Sequence, residues 1–269
     1  MKTPIGIFDS GYGGLSVLKE IVKKLPQYDY CYFGDNARAP YGERTPDEVH
    51  THTKEAVSFL FAQGSPLVIL ACNTASAIAL RCLQQEWLPD HFPGRRVLGV
   101  LIPVAEAIAR EARPGDRIGL LATPATVASG AYRKELEKIL PVGCTLVEQA
   151  CPLLVPLIEG GYHDHDATRA VLATYLAPFQ QTPVRHLILG CTHYPLLASL
   201  IRSLLGNDTL LFSSGEHVAF ALQSYLIRHP EVERALSRDA TKEYYTTGNP
   251  AEFRKQAETF LRGLRGSTS

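Results

Sequence analysis

A chain of 269 residues is long for one ordinary domain and comfortable for two, each large enough to bury its own core. Lys+Arg and Asp+Glu both number 27, which argues against the one-sided positive field that draws nucleic acid or an anionic membrane and leaves a small molecule as the expected partner. The opening MKTPIGIFDSG lacks a basic stretch followed by an apolar core and cleavage site, no apolar run approaches the ~20 residues that span a bilayer, and six cysteines without a C-x-x-C pair are too dilute for a disulfide scaffold, so a cytoplasmic protein with reduced thiols is expected.

In chain order, short apolar runs alternate with helix-period segments, the pattern of a parallel α/β sheet. PIGIF (4 to 8) reads as a buried strand, and Leu15, Leu18, Ile21, Val22 and Leu25 then fall at helical spacing. A strand near 29 to 33 precedes a helix over about 46 to 63, with Pro46 in its first turn and Gly64 beyond its end. LVILA (67 to 71) leads into a helix that runs into the 80s. A new set of units opens near 97 with VLGVL and continues with RIGLLA (117 to 122), a helix over about 129 to 140, and TLVEQA (145 to 150). Helices over 152 to 159 and 166 to 179 follow, then HLILG (186 to 190) and a helix through the early 200s. The remainder reads as strand 209 to 213, helix 216 to 228, a short strand 242 to 246 and a terminal helix opened by Asn249-Pro250.

An internal repeat organises these elements. IGIFDS (5 to 10) matches IGLLAT (118 to 123) at an offset of 113, and LVILACNT (67 to 74) matches HLILGCTH (186 to 193) at an offset of 119. Two related pairs in the same order predict two similar halves. Because strands and helices continue past 210, the first half is expected to recover its last elements from the C-terminus. The expected domains are 1–98 with 211–269, and 99–210 as an insertion.

Ligands of open parallel sheets bind outside the carboxyl ends of the strands. Asp9-Ser10, Cys72-Asn73-Thr74, Thr123 and Cys191-Thr192-His193 all follow such ends, and four clusters in a two-fold arrangement favour a shared cleft over isolated turns and caps. DSGYGGLS (9 to 16) resembles a phosphate-binding turn, but G-x-G-x-x-G fails at Ser16 and no Walker motif exists, so nucleotide binding is not expected. Free cysteine is usually inert packing, and Cys31, Cys82 and Cys144 lie inside apolar patterns. Cys72 and Cys191 each follow a strand and open onto a helix, where unpaired N–H groups lower a thiol pKa from about 8.5 toward neutrality. Such a thiol serves as nucleophile or proton carrier, with His193 and Asp9 placed to polarise one sulfur each. Zinc spacing is absent, and HDHD (163 to 166) reads as a solvated turn with Asp166 as N-cap.

Six segments together resemble the glutamate racemases of the aspartate/glutamate racemase superfamily: FDSGYGGLSV (8 to 17), GDNARAPYG (34 to 42), ACNTAS (71 to 76), IGLLATPATVASGAY (118 to 132), VPLIEGG (155 to 161) and GCTHYPLL (190 to 197). The resemblance implies two pseudo-symmetric, mainly parallel-sheet α/β domains with the active site in the cleft between them, and no pyridoxal phosphate, metal or nucleotide. It implies Cys72 and Cys191 as the acid/base pair, Asp9 and His193 as auxiliary groups, and Glu159 as the partner of His193. Substrate-binding positions carry over to Asp9, Ser10, Tyr41, Gly42, Asn73, Thr74, Thr123, Thr192 and His193, with Tyr41-Gly42 on a mobile loop. Cys72 is assigned to the D-substrate and Cys191 to the L-substrate. D-glutamate made for peptidoglycan, and a homodimer, complete the implied setting.

Inverting a stereocentre by proton transfer needs a base on one face of Cα and an acid on the other, which one residue cannot easily supply. Two cysteines from two opposed, related halves can. The alternatives are a sister racemase acting on aspartate or a hydantoin, and a two-domain amino-acid binding protein that closes on its ligand without chemistry.

Overall fold

The structure, a computed structural model, describes residues 2–266. Its strands in chain order are β1 (Ile5–Asp9), β2 (Tyr30–Gly34), β3 (Leu67–Leu70), β4 (Arg96–Gly99), β5 (Arg117–Ala122), β6 (Thr145–Ala150), β7 (His186–Gly190), β8 (Leu210–Ser213) and β9 (Lys242–Thr246). They form two wholly parallel sheets, ordered β4-β3-β1-β2-β9 and β6-β5-β7-β8. Read from the other edge, the second order is β8-β7-β5-β6, so β1 to β4 correspond to β5 to β8 one for one.

The correspondence extends to register. Ile5 pairs with Leu67 between β1 and β3, and Ile118 with His186 between β5 and β7, which are the residues the repeat aligns. A slip of one residue would turn every side chain to the opposite face, so a duplicated pattern of buried residues carries its register with it. The fold is therefore the expected α/β arrangement of two related halves.

In the first sheet, alternation divides the side chains between two layers. Ile5, Ile7, Tyr30, Tyr32, Leu67 and Ile69 share a cluster with Leu15, Leu18 and Ile21 of the helix Leu15–Lys24. Phe8, Phe33, Val68 and Leu70 face the helix Pro46–Ala62, through Val49, Val57 and Leu60. Each fully buried aliphatic side chain contributes about 1.5–3 kcal/mol. The first cluster runs on through Val218 and Leu222 into Ile118, Leu120 and Ile188 of the second sheet, so the helix Ser214–Arg228 helps join the halves.

Several local expectations are corrected. The run at 97 to 101 closes the first sheet as β4 instead of opening the second, and a helix unforeseen in the sequence, Leu101–Glu111, follows at once. The helix expected over 129 to 140 is two, Pro124–Ser129 and Ala131–Leu136, broken where Gly130 turns left-handed at φ 62°. The helix after β3 does run into the 80s, as Asn73–Ile78, Leu80–Cys82, a π-helical stretch Leu83–Trp87 and Leu88–His91, interrupted only at Ala79. At 163 to 166 the cap is His165, whose Nδ1 accepts from the Ala167 N–H at 3.2 Å; Asp166 is the first helical residue. Cys31 is buried, but Cys82 and Cys144 are only partly so, and their thiols donate to Glu86 and to the Arg113 carbonyl. Asn249 does cap the last helix, Pro250–Gly266, accepting from the Ala251 and Glu252 N–H groups.

The halves meet closely at the glycine turn that imitates a phosphate loop. Ser16 donates to the Thr192 carbonyl at 3.0 Å, and a Cβ on Gly13 would lie 2.4 Å from Thr192 Oγ1 and 2.6 Å from His193 Cε1. Gly13 is there to let the turn of the other half approach. Gly13→Ala should therefore lower stability by about 1–3 kcal/mol through overpacking, read as a lower urea midpoint. Gly11→Ala, whose Cβ would meet nothing nearer than 3.7 Å, should leave the midpoint almost unchanged. Equal midpoints for the two variants would refute the close-approach role.

Candidate active site

Both conspicuous cysteines lie just past equivalent strands, Cys72 after β3 and Cys191 after β7, and both line one cavity between the halves. The cavity's enclosed space is about 30 Å³, room for roughly two waters and too small for an amino acid. Ser10, Tyr41, Gly42, Asn73, Thr74, Thr123, Glu159, Thr192 and His193 also line it, so all but one of the site residues expected from the sequence surround one cavity. The exception is Asp9. It is fully buried behind the wall, where its carboxylate accepts from the Gly11 N–H at 3.0 Å and from Thr192 Oγ1 at 3.4 Å.

The two sulfurs differ in their surroundings. Cys72 caps the helix Asn73–Ile78, with the Ala75 N–H donating to Sγ at 3.4 Å and Sγ 3.6 Å from Ser10 Oγ. Those contacts favour a thiolate, as the helix-start argument expected. They lose. Burial, and then the charge of Asp9, push the thiol up to about 12, so the expected tuning toward neutrality fails at Cys72. Asp9 is itself pushed up by burial, with His193 opposing.

Cys191 opens onto the 3₁₀ turn Tyr194–Leu197 instead of a regular helix. Its sulfur lies 3.8 Å from Nδ1 of His193, and Nε2 of that ring lies 3.1 Å from Glu159 Oε1, within ion-pair reach but off the line of a hydrogen bond. Burial pushes the imidazole down, but its contacts with Cys191 and Glu159 outweigh that and hold it at about 10. At neutral pH one sulfur therefore keeps its proton and the other faces a cation.

Hydroxyls form the floor. Thr74 and Thr123 oxygens lie 3.0 Å apart across the cleft, and Thr126 joins them at 3.1 and 2.9 Å. The Tyr41 hydroxyl donates to the buried Asp35, which also accepts from Arg38 Nε and Thr247. Tyr41 thus anchors its own turn, while Gly42 sits where a Cβ would meet Thr123 Cβ at 2.7 Å.

Sequence reasoning missed Cys151, Asp35, Thr126 and Tyr132. Cys151 is buried, lines the cavity and directly follows β6, as Asp35 follows β2. The rule that found Cys72 and Cys191 would have found both, had it been applied to every strand. Among the described residues no cluster of His, Cys, Asp and Glu could hold a metal ion, and no helix is long and apolar enough to cross a membrane.

Comparison with known proteins agrees with this geometry. The family model for Asp/Glu/Hydantoin racemase matches residues 5–219. A glutamate racemase of Geobacter metallireducens is 42% identical over 262 residues, covering 97% of this chain and 94% of its own. The crystal structure of a glutamate racemase isoform from Bacillus anthracis superposes with a TM-score of 0.86 at 35% identity, covering 97% of this chain and 94% of the other. That of the Francisella tularensis glutamate racemase in complex with D-glutamate gives 0.84 at 31% identity, with the same coverages. The chain belongs to the Asp/Glu/Hydantoin racemase family, among its glutamate racemases.

Proposed function

We propose that the protein interconverts L- and D-glutamate by taking the α-proton onto one of Cys72 and Cys191 and returning a proton from the other. The observation that carries this reading is the pair of buried sulfurs at equivalent strand ends in one cavity, one protonated and one facing an imidazolium. With L-glutamate bound, the Cys191 thiolate takes the α-hydrogen, and the electron pair left on Cα spreads onto the carboxylate. The Cys72 thiol then gives its hydrogen to the opposite face, ending as thiolate. D-glutamate runs the same steps backwards, so Cys191 serves the L-form and Cys72 the D-form.

The Cα–H is a far weaker acid than a thiol, so the carboxylate must be stabilised as charge develops on it. Donors suited to that are the hydroxyls of Ser10, Thr74, Thr123 and Thr192 and the amide of Asn73. The cavity is too small for glutamate as it stands, so the halves part to admit it and close to exclude water, which strengthens each of these interactions. Asp9 acts from behind, through Thr192 and through its charge, which helps hold the proton on Cys72. Glutamate is favoured over aspartate or a hydantoin by the full-length likeness to glutamate racemases. In the same reading the reaction needs no cofactor, the D-glutamate goes to peptidoglycan, and the enzyme works in the cytoplasm as a homodimer.

Chiral chromatography of glutamate, with aspartate as control, tests the substrate. Cys72→Ser and Cys191→Ser should each lower racemisation by about 10²–10⁴-fold while still binding glutamate, and product formed in D₂O should carry α-deuterium. Full activity in either variant, or product that keeps its original α-hydrogen throughout, would sink the two-thiol mechanism and leave a binding protein or another base.

A pH profile tests His193. The Glu159 carboxylate raises the imidazole's pKa, so Glu159→Gln should lower it and the imidazolium should be lost at lower pH. The alkaline fall in kcat/KM, set in the wild type near or below the imidazole's value of about 10, should then move to lower pH. The substrate's own amino group titrates identically in both enzymes. A limb that stays put or moves up contradicts the role given to His193.

A further inference from the structure

A phenol of the second half reaches across the cleft to the residue beside Cys72. Tyr132, on the helix Ala131–Leu136, is fully buried, and its hydroxyl donates to Asn73 Oδ1 at 2.7 Å. Asn73 is 2% exposed and lines the cavity, and its Nδ2 has no hydrogen-bond partner among the described residues. A buried NH₂ group without a partner is costly unless a ligand supplies the acceptor.

The terminal torsion of an asparagine is broad, so nothing intrinsic to Asn73 chooses which end of the amide faces the cavity. The choice matters. Nδ2 offers donors to a carboxylate, whereas the amide turned over would present oxygen to oxygen. Burial, and then the charge of Cys191, push the Tyr132 pKa up, so the phenol keeps its proton and must donate it. Oδ1 is the acceptor it has found.

We propose that Tyr132 is a positioning residue that locks the Asn73 amide with its NH₂ group toward the substrate carboxylate, resting on the racemase reading above. Asn73 follows β3 in one sheet and Tyr132 lies beyond β5 in the other, so the lock forms when the halves close. Closure and completion of the donor set beside Cys72 are then one event.

The test is a double-mutant cycle with a structure. Tyr132→Phe keeps the ring and removes the lock, and should lower kcat/KM for both enantiomers by about 10- to 100-fold. If the phenol acts only through the amide, Tyr132→Phe combined with Asn73→Ala should lose no more than Asn73→Ala alone, since the two residues form one unit. An equal loss from Tyr132→Phe in both backgrounds would mean a packing role and overturn the proposal. Asn73→Asp, which puts an acceptor where the donor stood, should be worse than Asn73→Ala; equal activity would overturn the donor role. A crystal structure of Tyr132→Phe should show the Asn73 amide turned or in two orientations, and an amide left in place would overturn the lock. That readout needs no turnover. A wild-type protein that fails to racemise glutamate would defeat the functional reading and leave the lock still to be judged by it.

Discussion

Cys72 is 5% exposed and Cys191 8%, so a negative charge on either sulfur has lost most of its water, and the rest of the cleft is arranged around that cost. The halves meet it differently. At Cys72 one backbone N–H and the Ser10 hydroxyl offset only part of the penalty, and the buried Asp9 adds to it, so the proton stays on sulfur. At Cys191 the compensation is an imidazolium, which is itself buried and must be compensated by Glu159. A chain of sulfur, imidazole and carboxylate leads the charge outward toward Glu159, whose side chain is 29% exposed. Cys72 has no such chain.

That arrangement requires the halves to come closer than side chains ordinarily allow. Gly13 admits Thr192 and His193, and Gly42 admits Thr123, in both cases at distances a Cβ would forbid. The glycine-rich turn that looks in the sequence like an anion cradle is therefore used for contact between two sheets. The same proximity brings Asp9 of one half under Thr192 of the other, and lets hydroxyls from both halves share protons at Thr74, Thr123 and Thr126.

The parts of this picture that were legible in the sequence are those the duplication repeats. Buried parallel strands are written as apolar runs, and two copies of a run in the same order reveal both the sheets and the matched ends at Cys72 and Cys191. What failed to show depends on contacts between residues far apart. The Cys72 pKa is set by burial and by Asp9, 63 positions earlier, which a local argument from the helix start could not weigh. The helix Leu101–Glu111 was hidden because VLGVL joins it to β4 without a polar break, and periodicity cannot divide a continuous apolar run. Tyr132 lies within a recognisable motif, yet its role follows only from a hydroxyl meeting Asn73 from the other sheet.

The halves stop matching where the C-terminus returns. β9 and the helix Pro250–Gly266 have no counterpart in the second half, and that helix sets Phe260 against His193 and Tyr12, with ring centroids 5.4 to 5.6 Å apart. A segment belonging with the first sheet thus walls in the imidazolium that serves the second sheet's cysteine. The backbone keeps a near two-fold geometry, as approach to both faces of one carbon demands, while the proton inventory is unequal. For a racemase that inequality has a strict limit. Enantiomers have the same free energy in water, so the equilibrium constant is one and kcat/KM must be equal in the two directions whatever the resting state of the thiols. Any preference that His193, Glu159 and Phe260 build into the site can therefore appear only as parallel changes in kcat and KM, by the same factor and in the same direction, never as a net bias toward D-glutamate.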